Sequence, residues 1–181
     1  MKKILILISV MFVLVGCDMG EMNNTPTKQV EMFLSKYQTL DSSVLEDLDD
    51  VVKEEVAFNS KQRDTYRDYM KKHYQELQYD VKEEKIDGDQ ATVTVEIEVR
   101  DYSKLLRTAK NYLEQHPDKF QNEKGEYDDS KFMDYRLEQM KKAKDRVKYT
   151  MELTLTKKDK KWQMNALTEE QHQKLHGIYE Y

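Results

Sequence analysis

Between residues 91 and 99 the chain alternates without a break. Ala91, Val93, Val95, Ile97 and Val99 are apolar, and Thr92, Thr94, Glu96 and Glu98 between them are polar. A period of two sends successive side chains to opposite faces, so this is a strand with one dry and one wet face. The pattern returns at Tyr149, Met151, Leu153 and Leu155, set against Thr150, Glu152, Thr154 and Thr156. Two such runs need an apolar cover, and helices supply it in an α+β domain.

The helical segments carry the other period. Thr25-Pro26 is an N-cap followed by Pro at the first helical position, and Val30, Phe33, Leu34, Tyr37 and Leu40 follow at spacings of three and four. Asp41-Ser42-Ser43 restarts the pattern through Val44, Leu45, Leu48, Val51 and Val52, which predicts a second helix to about Ala57. Asn59-Ser60 breaks it, and from Lys61 a third helix sets Tyr66, Tyr69, Met70, His73, Tyr74 and Leu77 on one stripe.

Each alternating run has a hairpin partner. Tyr79 to Ile86 pairs with the first through Asp87-Gly88-Asp89; Ile86 falls out of phase with Tyr79 and Val81, which predicts a bulge or an early end of the strand. Lys157 to Lys161 turns the second run into Trp162, Met164 and Ala166. Helices over Ser103 to His116 and Asp129 to Arg146 form an insertion (102–146) between the hairpins, and Thr168 starts a last helix. The expectation is one α+β domain over residues 26–181, with helices packed on an antiparallel sheet of about four strands.

The first 25 residues read as an address. Lys2 and Lys3 precede 13 uncharged residues, Ile4 to Gly16, and Asp18 ends the run. A spanning helix needs roughly 20 apolar residues, so the segment fits a signal peptide (1–16). Leu14-Val15-Gly16-Cys17 resembles the lipobox of bacterial lipoproteins, which implies cleavage before Cys17 and a diacylglycerol on its thiol. Cys17 is the sole cysteine, and lipidation gives a lone exported thiol a purpose. Residues 17–25 then form the lipidated end and a tether. Loss of Lys2 and Lys3 leaves 28 basic and 35 acidic side chains. Such an acidic body excludes wrapping of nucleic acid and stands off an anionic membrane.

Thr25 to Tyr37, Asp87 to Val95 and Lys157 to Met164 together resemble segments of small lipoproteins of Gram-positive bacteria. The resemblance implies a cystatin-like or nuclear-transport-factor-2-like domain, in which helices fill the concavity of a bent sheet. That superfamily holds both binding modules and isomerase-like enzymes that place acids, His or Tyr inside the cone. The 102–146 insertion departs from its compact pattern.

Candidate sites follow. Tyr37, Tyr66, His73, Tyr74 and Trp162 are a candidate pocket, with His73 as a titrating group; an aromatic stripe at this spacing also reads as core. Glu169, His172 and His176 could share a helical face as weak candidate metal ligands, but Gln173 stands where a zinc peptidase carries its Glu. Asp118 to Asp129 fails as a calcium loop, since aligning Gly125 puts Phe120 first and Lys131 twelfth. The lysines of 157–161 could attract an anionic polymer or lipid headgroups, and the Thr/Glu face of the sheet could be solvated or bind a partner. No catalytic serine elbow or phosphate loop is present, and no cofactor is implied. The leading expectation is a non-catalytic lipoprotein on the extracytoplasmic face of the cell membrane, held by diacylglycerol on Cys17 and presenting a surface to another envelope protein. The competing class is a small-molecule binder or an isomerase- or hydrolase-like enzyme using the cone.

Overall fold

The structure, a computed structural model, describes residues 24–54 and 58–180. The elements run α1 (Pro26–Thr39), α2 (Ser42–Glu54), α3 (Ser60–Gln75), β1 (Gln78–Asp87), β2 (Gln90–Arg100), α4 (Ser103–Gln115), a 3₁₀ turn (Pro117–Phe120), α5 (Asp129–Lys142), β3 (Arg146–Lys158), β4 (Lys161–Met164) and α6 (Glu169–Leu175). The strands form one antiparallel sheet in the order β1-β2-β3-β4, and the helices pack on it in an α+β fold. The expected signal peptide, Cys17 and most of the expected tether lie outside the described residues.

The alternating runs set the register. Val93 faces Leu153, Val95 faces Met151 and Ile97 faces Tyr149, so dry residues pair with dry residues across β2 and β3. Val30 and Leu34 of α1 lie fully buried in the same cluster as these strand residues, with Val44, Leu48 and Val52 of α2 and Met70 and Tyr74 of α3. Each fully buried aliphatic side chain stabilises the fold by about 1.5–3 kcal/mol. Thr92, Thr94, Glu96 and Glu98 stay half-exposed on the other face.

The bulge lies between Val81 and Glu83. Tyr79 and Val81 oppose Ile97 and Val95, whereas Glu84 and Ile86 oppose Val93 and Ala91, so one extra residue returns Ile86 to the helical side. It also aims Glu84, whose carboxylate accepts from the backbone N–H of Thr27 at 2.8 Å and from its hydroxyl at 2.6 Å. One of the unpaired donors in the first turn of α1 is thereby satisfied, and the helix is tied to the sheet edge.

β4 is too short to cover β3. Beyond it, α6 takes over the exposed edge: Gln171 Nε2 donates to the carbonyl of Glu152 at 2.8 Å and Lys174 Nζ to that of Thr150 at 3.1 Å. An open row of acceptors is thereby closed without a fifth strand.

Several boundaries differ from the sequence reading. Leu40 is no helical residue but a left-handed cap at φ 54°. The α2 helix is described to Glu54, and residues 55–57 lie outside the described residues. Helix α5 ends at Lys142 rather than Arg146, because the Ala143 carbonyl turns to accept from Arg100 Nη1 at 2.6 Å and β3 begins at Arg146. The last strand stops at Met164, leaving Ala166 exposed.

Candidate functional site

Among the described residues, one enclosed concavity is built from elements remote in sequence. Tyr37 of α1 meets Tyr74 of α3 edge to face, with centroids 5.1 Å apart. The Tyr74 hydroxyl lies 3.1 Å from Nε2 of His176, and the His172 ring sits one helical turn away at 6.2 Å. Val44, Leu48 and Val51 of α2 form the apolar wall and Asp47 stands among them. The cleft holds about 60 Å³, room for a few waters, whereas ligand pockets run to roughly 300–1,000 Å³.

Burial dominates the electrostatics. It pushes the Tyr37 hydroxyl up to about 12, with the Asp47 charge adding to it, and drives Tyr74 up as well. His176 is lowered to about 4, first by burial and then by His172, while Glu169 pulls the other way. At pH 7 the cleft therefore presents a neutral imidazole and two neutral phenols, which can donate and accept hydrogen bonds but supply a weak base.

His73 points elsewhere. Its ring, 1% exposed, stacks on Tyr102 at 5.1 Å, and Nε2 donates to the Leu175 carbonyl at 2.7 Å. That bond places the proton on Nε2, and Nδ1 is buried with no partner among the described residues. Burial is the main cause that lowers it to about 4; the Leu175 hydrogen bond works against it, and the charges of His176, Arg100 and Arg146 act in the same direction as burial. The carbonyl of Gly177 meanwhile accepts from the N–H groups of Tyr102 and Ser103 at 2.8 and 3.0 Å. Residues 175–177 thus latch α6 onto α3 and the start of the insertion.

The remaining candidates are dispersed. Tyr66 packs on Phe58 at 5.4 Å, and Trp162 is buried beneath Lys157 Nζ, 5.5 Å from the ring centre. Of the five aromatic and His candidates, the cleft contains Tyr37 and Tyr74, joined by His172 and His176. Glu169 does not converge with the two histidines: its carboxylate accepts from Gln173 Nε2 at 3.1 Å. Among the described residues no trio of His, Cys, Asp or Glu is placed to hold a metal. In the 118–129 segment, Asn122 Oδ1 accepts from the N–H groups of Lys124 and Glu126 around Gly125 at φ 80°, a turn that consumes its own polar groups. Sequence reasoning missed Asn24, whose side chain accepts from the Trp162 N–H, and Glu76, which sits between two arginines. Nothing local marks either one.

No family model matches the chain, and no curated protein matches it. One solved structure to which it is similar is a Bacillus subtilis protein, ycdA, described as a candidate lipoprotein. That match has 17% identity and a TM-score of 0.43, and spans 68% of this chain but 39% of the other. This chain therefore covers well under half of that neighbour's length.

Proposed function

We propose that this chain is an extracytoplasmic lipoprotein, held on the cell membrane by diacylglycerol on Cys17, whose α+β domain is a non-catalytic interaction module. The observation that carries the placement is Leu14-Val15-Gly16-Cys17 at the end of a short apolar run behind two lysines. The non-catalytic part is supported by the size and chemistry of the Tyr74–His176 cleft, which is too small for a substrate and holds no strong base at neutral pH. The larger grooves are open to solvent and lined by charged side chains, as between α4 and α5, where Arg107, Lys110 and Arg136 surround Leu106 and Phe132. Such surfaces suit an envelope protein better than a small molecule. The cystatin-like or nuclear-transport-factor-2-like relationship belongs to the same proposal.

Two measurements test it. Peptide mass analysis of the protein isolated from membranes should find Cys17 as the N-terminal residue, carrying the mass increment of the lipid; a bare thiol or an intact leader removes the placement. Crosslinking in intact cells should recover a defined envelope partner, and recovery of bulk protein alone removes the interaction role.

A further inference from the structure

The turn Lys157–Lys161 breaks two rules of hairpin stability at once. Asp159 and Lys160 both adopt left-handed backbone, at φ 49° and 63°; Asp tolerates it, but at Lys160 Gly is the favoured residue. Lys158 and Lys161 are direct cross-strand partners, so two like charges face each other. Among the described residues no carboxylate lies within ion-pair distance of Lys157, Lys158, Lys160 or Lys161, and all four are exposed. A chain with an acidic excess thus keeps four lysines together, unneutralised, at the end of a strained turn. Sites that break local rules without a structural gain are where function is to be sought.

The same turn marks where the tether leaves the domain. The Trp162 N–H, on the outer edge of β4, donates to the side chain of Asn24, so the first described residue is fastened beside Lys157, the register partner of Trp162. Asn24 is seven positions beyond Cys17 in the sequence, a reach of at most about 25 Å. With lipid on Cys17, this end of the sheet is the end held next to the bilayer. The neighbouring β1–β2 turn brings Asp87 and Asp89 to the same end, since the Lys157 N–H donates to the Asp89 carbonyl at 2.7 Å. Those aspartates oppose the lysines, but their side chains are shorter, while lysine extends its charge on a four-carbon stem.

We infer that the Lys157–Lys161 turn is a membrane-facing surface that docks the domain end-on against anionic lipid headgroups. The inference rests on the lipoprotein reading. The anchor supplies the local concentration and the lysines supply the orientation, each acting only within about a Debye length, roughly 8 Å, of the phosphates. The acidic remainder then points away from the membrane, towards any partner.

Trp162 is the only tryptophan, and it lies under this turn, so it reports the distance directly. The lipidated full-length mature protein is reconstituted into vesicles of phosphatidylcholine alone or of equal parts phosphatidylcholine and phosphatidylglycerol. Energy transfer is then read from Trp162 to a dansyl group on the headgroups. Transfer is expected to rise in the anionic vesicles and to fall with added salt. In K158Q/K161Q the docked-to-undocked ratio is expected to drop about fivefold per lysine removed, from about 1 kcal/mol each. D87N/D89N moves it the other way. Equal transfer in both vesicle types, or transfer indifferent to K158Q/K161Q, overturns the inference while leaving the anchor intact. Failure to float with phosphatidylcholine vesicles overturns the lipoprotein reading and takes this one with it. Charge-independent transfer together with lysine-dependent retention on immobilised polyglycerol phosphate overturns it in favour of a wall polymer.

Discussion

The two ends of the sheet each place like charges opposite one another and treat them differently. At one end Arg100 faces Arg146 across β2 and β3. Glu76, at the end of α3, lies 2.6 Å from Arg100 and 4.0 Å from Arg146, and Glu98 pairs with Arg146 at 2.8 Å. Arg100 also holds the Ala143 carbonyl, and Arg146 the Glu76 carbonyl at 2.9 Å. At the other end Lys158 faces Lys161 with nothing between them. The arginine end is a clamp that joins α3, the insertion and the sheet. At the lysine end Lys157 lies over the Trp162 ring, but among the described residues no carboxylate pairs with any of the four ammonium groups, so their charges are free to be read from outside. Planar guanidinium groups suit the first task and mobile ammonium groups the second.

The contrast predicts large effects at the clamp and small or opposite ones at the turn. The largest comes at Gly177, at φ 68°, where an added Cβ would stand 2.0 Å from the Arg100 carbonyl oxygen. Gly177→Ala is expected to destabilise by about 3 kcal/mol or more, read by urea unfolding, because neither backbone can yield without opening the latch.

The next concerns pH. His73 sits at about 4 in the fold against an ordinary 6.5, so between those values the unfolded chain binds a proton that the folded chain refuses. Its contribution is complete above pH 6.5 and disappears as the pH falls to about 4, a loss of about 3 kcal/mol. Half-buried His176 adds to the same slope with less weight. A protonated His73 would face Arg100 and Arg146 from the strands and His176 from beyond α6, with Glu76 the opposing carboxylate, and would lack an acceptor for its second proton. His73→Gln, which keeps a donor for Leu175, should flatten the stability profile between pH 4 and 6.5. An unchanged slope would show that other groups set it.

Glu76→Gln comes third. The Arg100 hydrogen bond holds this carboxylate below its ordinary range, so its contribution is present above the usual carboxylate pKa and fades as pH falls below it. Its side chain is 42% exposed, so solvent screens much of the gain and about 1.5 kcal/mol is expected at pH 7. At the turn the sign reverses. Lys160→Gly should stabilise by about 1 kcal/mol through relief of the left-handed backbone. Lys158→Gln should raise stability by a few tenths of a kcal/mol by removing the facing charge, detectable as a small shift in melting temperature. Loss of stability in either would mean that the lysines bind something within the fold.

What could be read in the sequence was whatever repeats locally. The strand of Val93, Val95 and Ile97 was legible because one face must be dry and the period is two. The bulge was legible because Ile86 broke the phase, and the caps at Thr25 and Thr168 because their oxygens bond three residues away. The candidate site was legible in part. Tyr37 and Tyr74 do share a cleft, but Trp162 and Tyr66 lie elsewhere, because an apolar stripe says which side of a helix is buried and not what it is buried against.

The sequence alone determined the α+β class and the hairpin positions, since each follows from side chains within about ten residues of one another. The tertiary structure decided which remote groups meet: Tyr74 with His176 across 102 positions, Glu76 with Arg100, and Asn24 with Trp162 across 138. Such contacts are set by how helices settle on a sheet to fill space at close packing, and no short-range pattern records that choice.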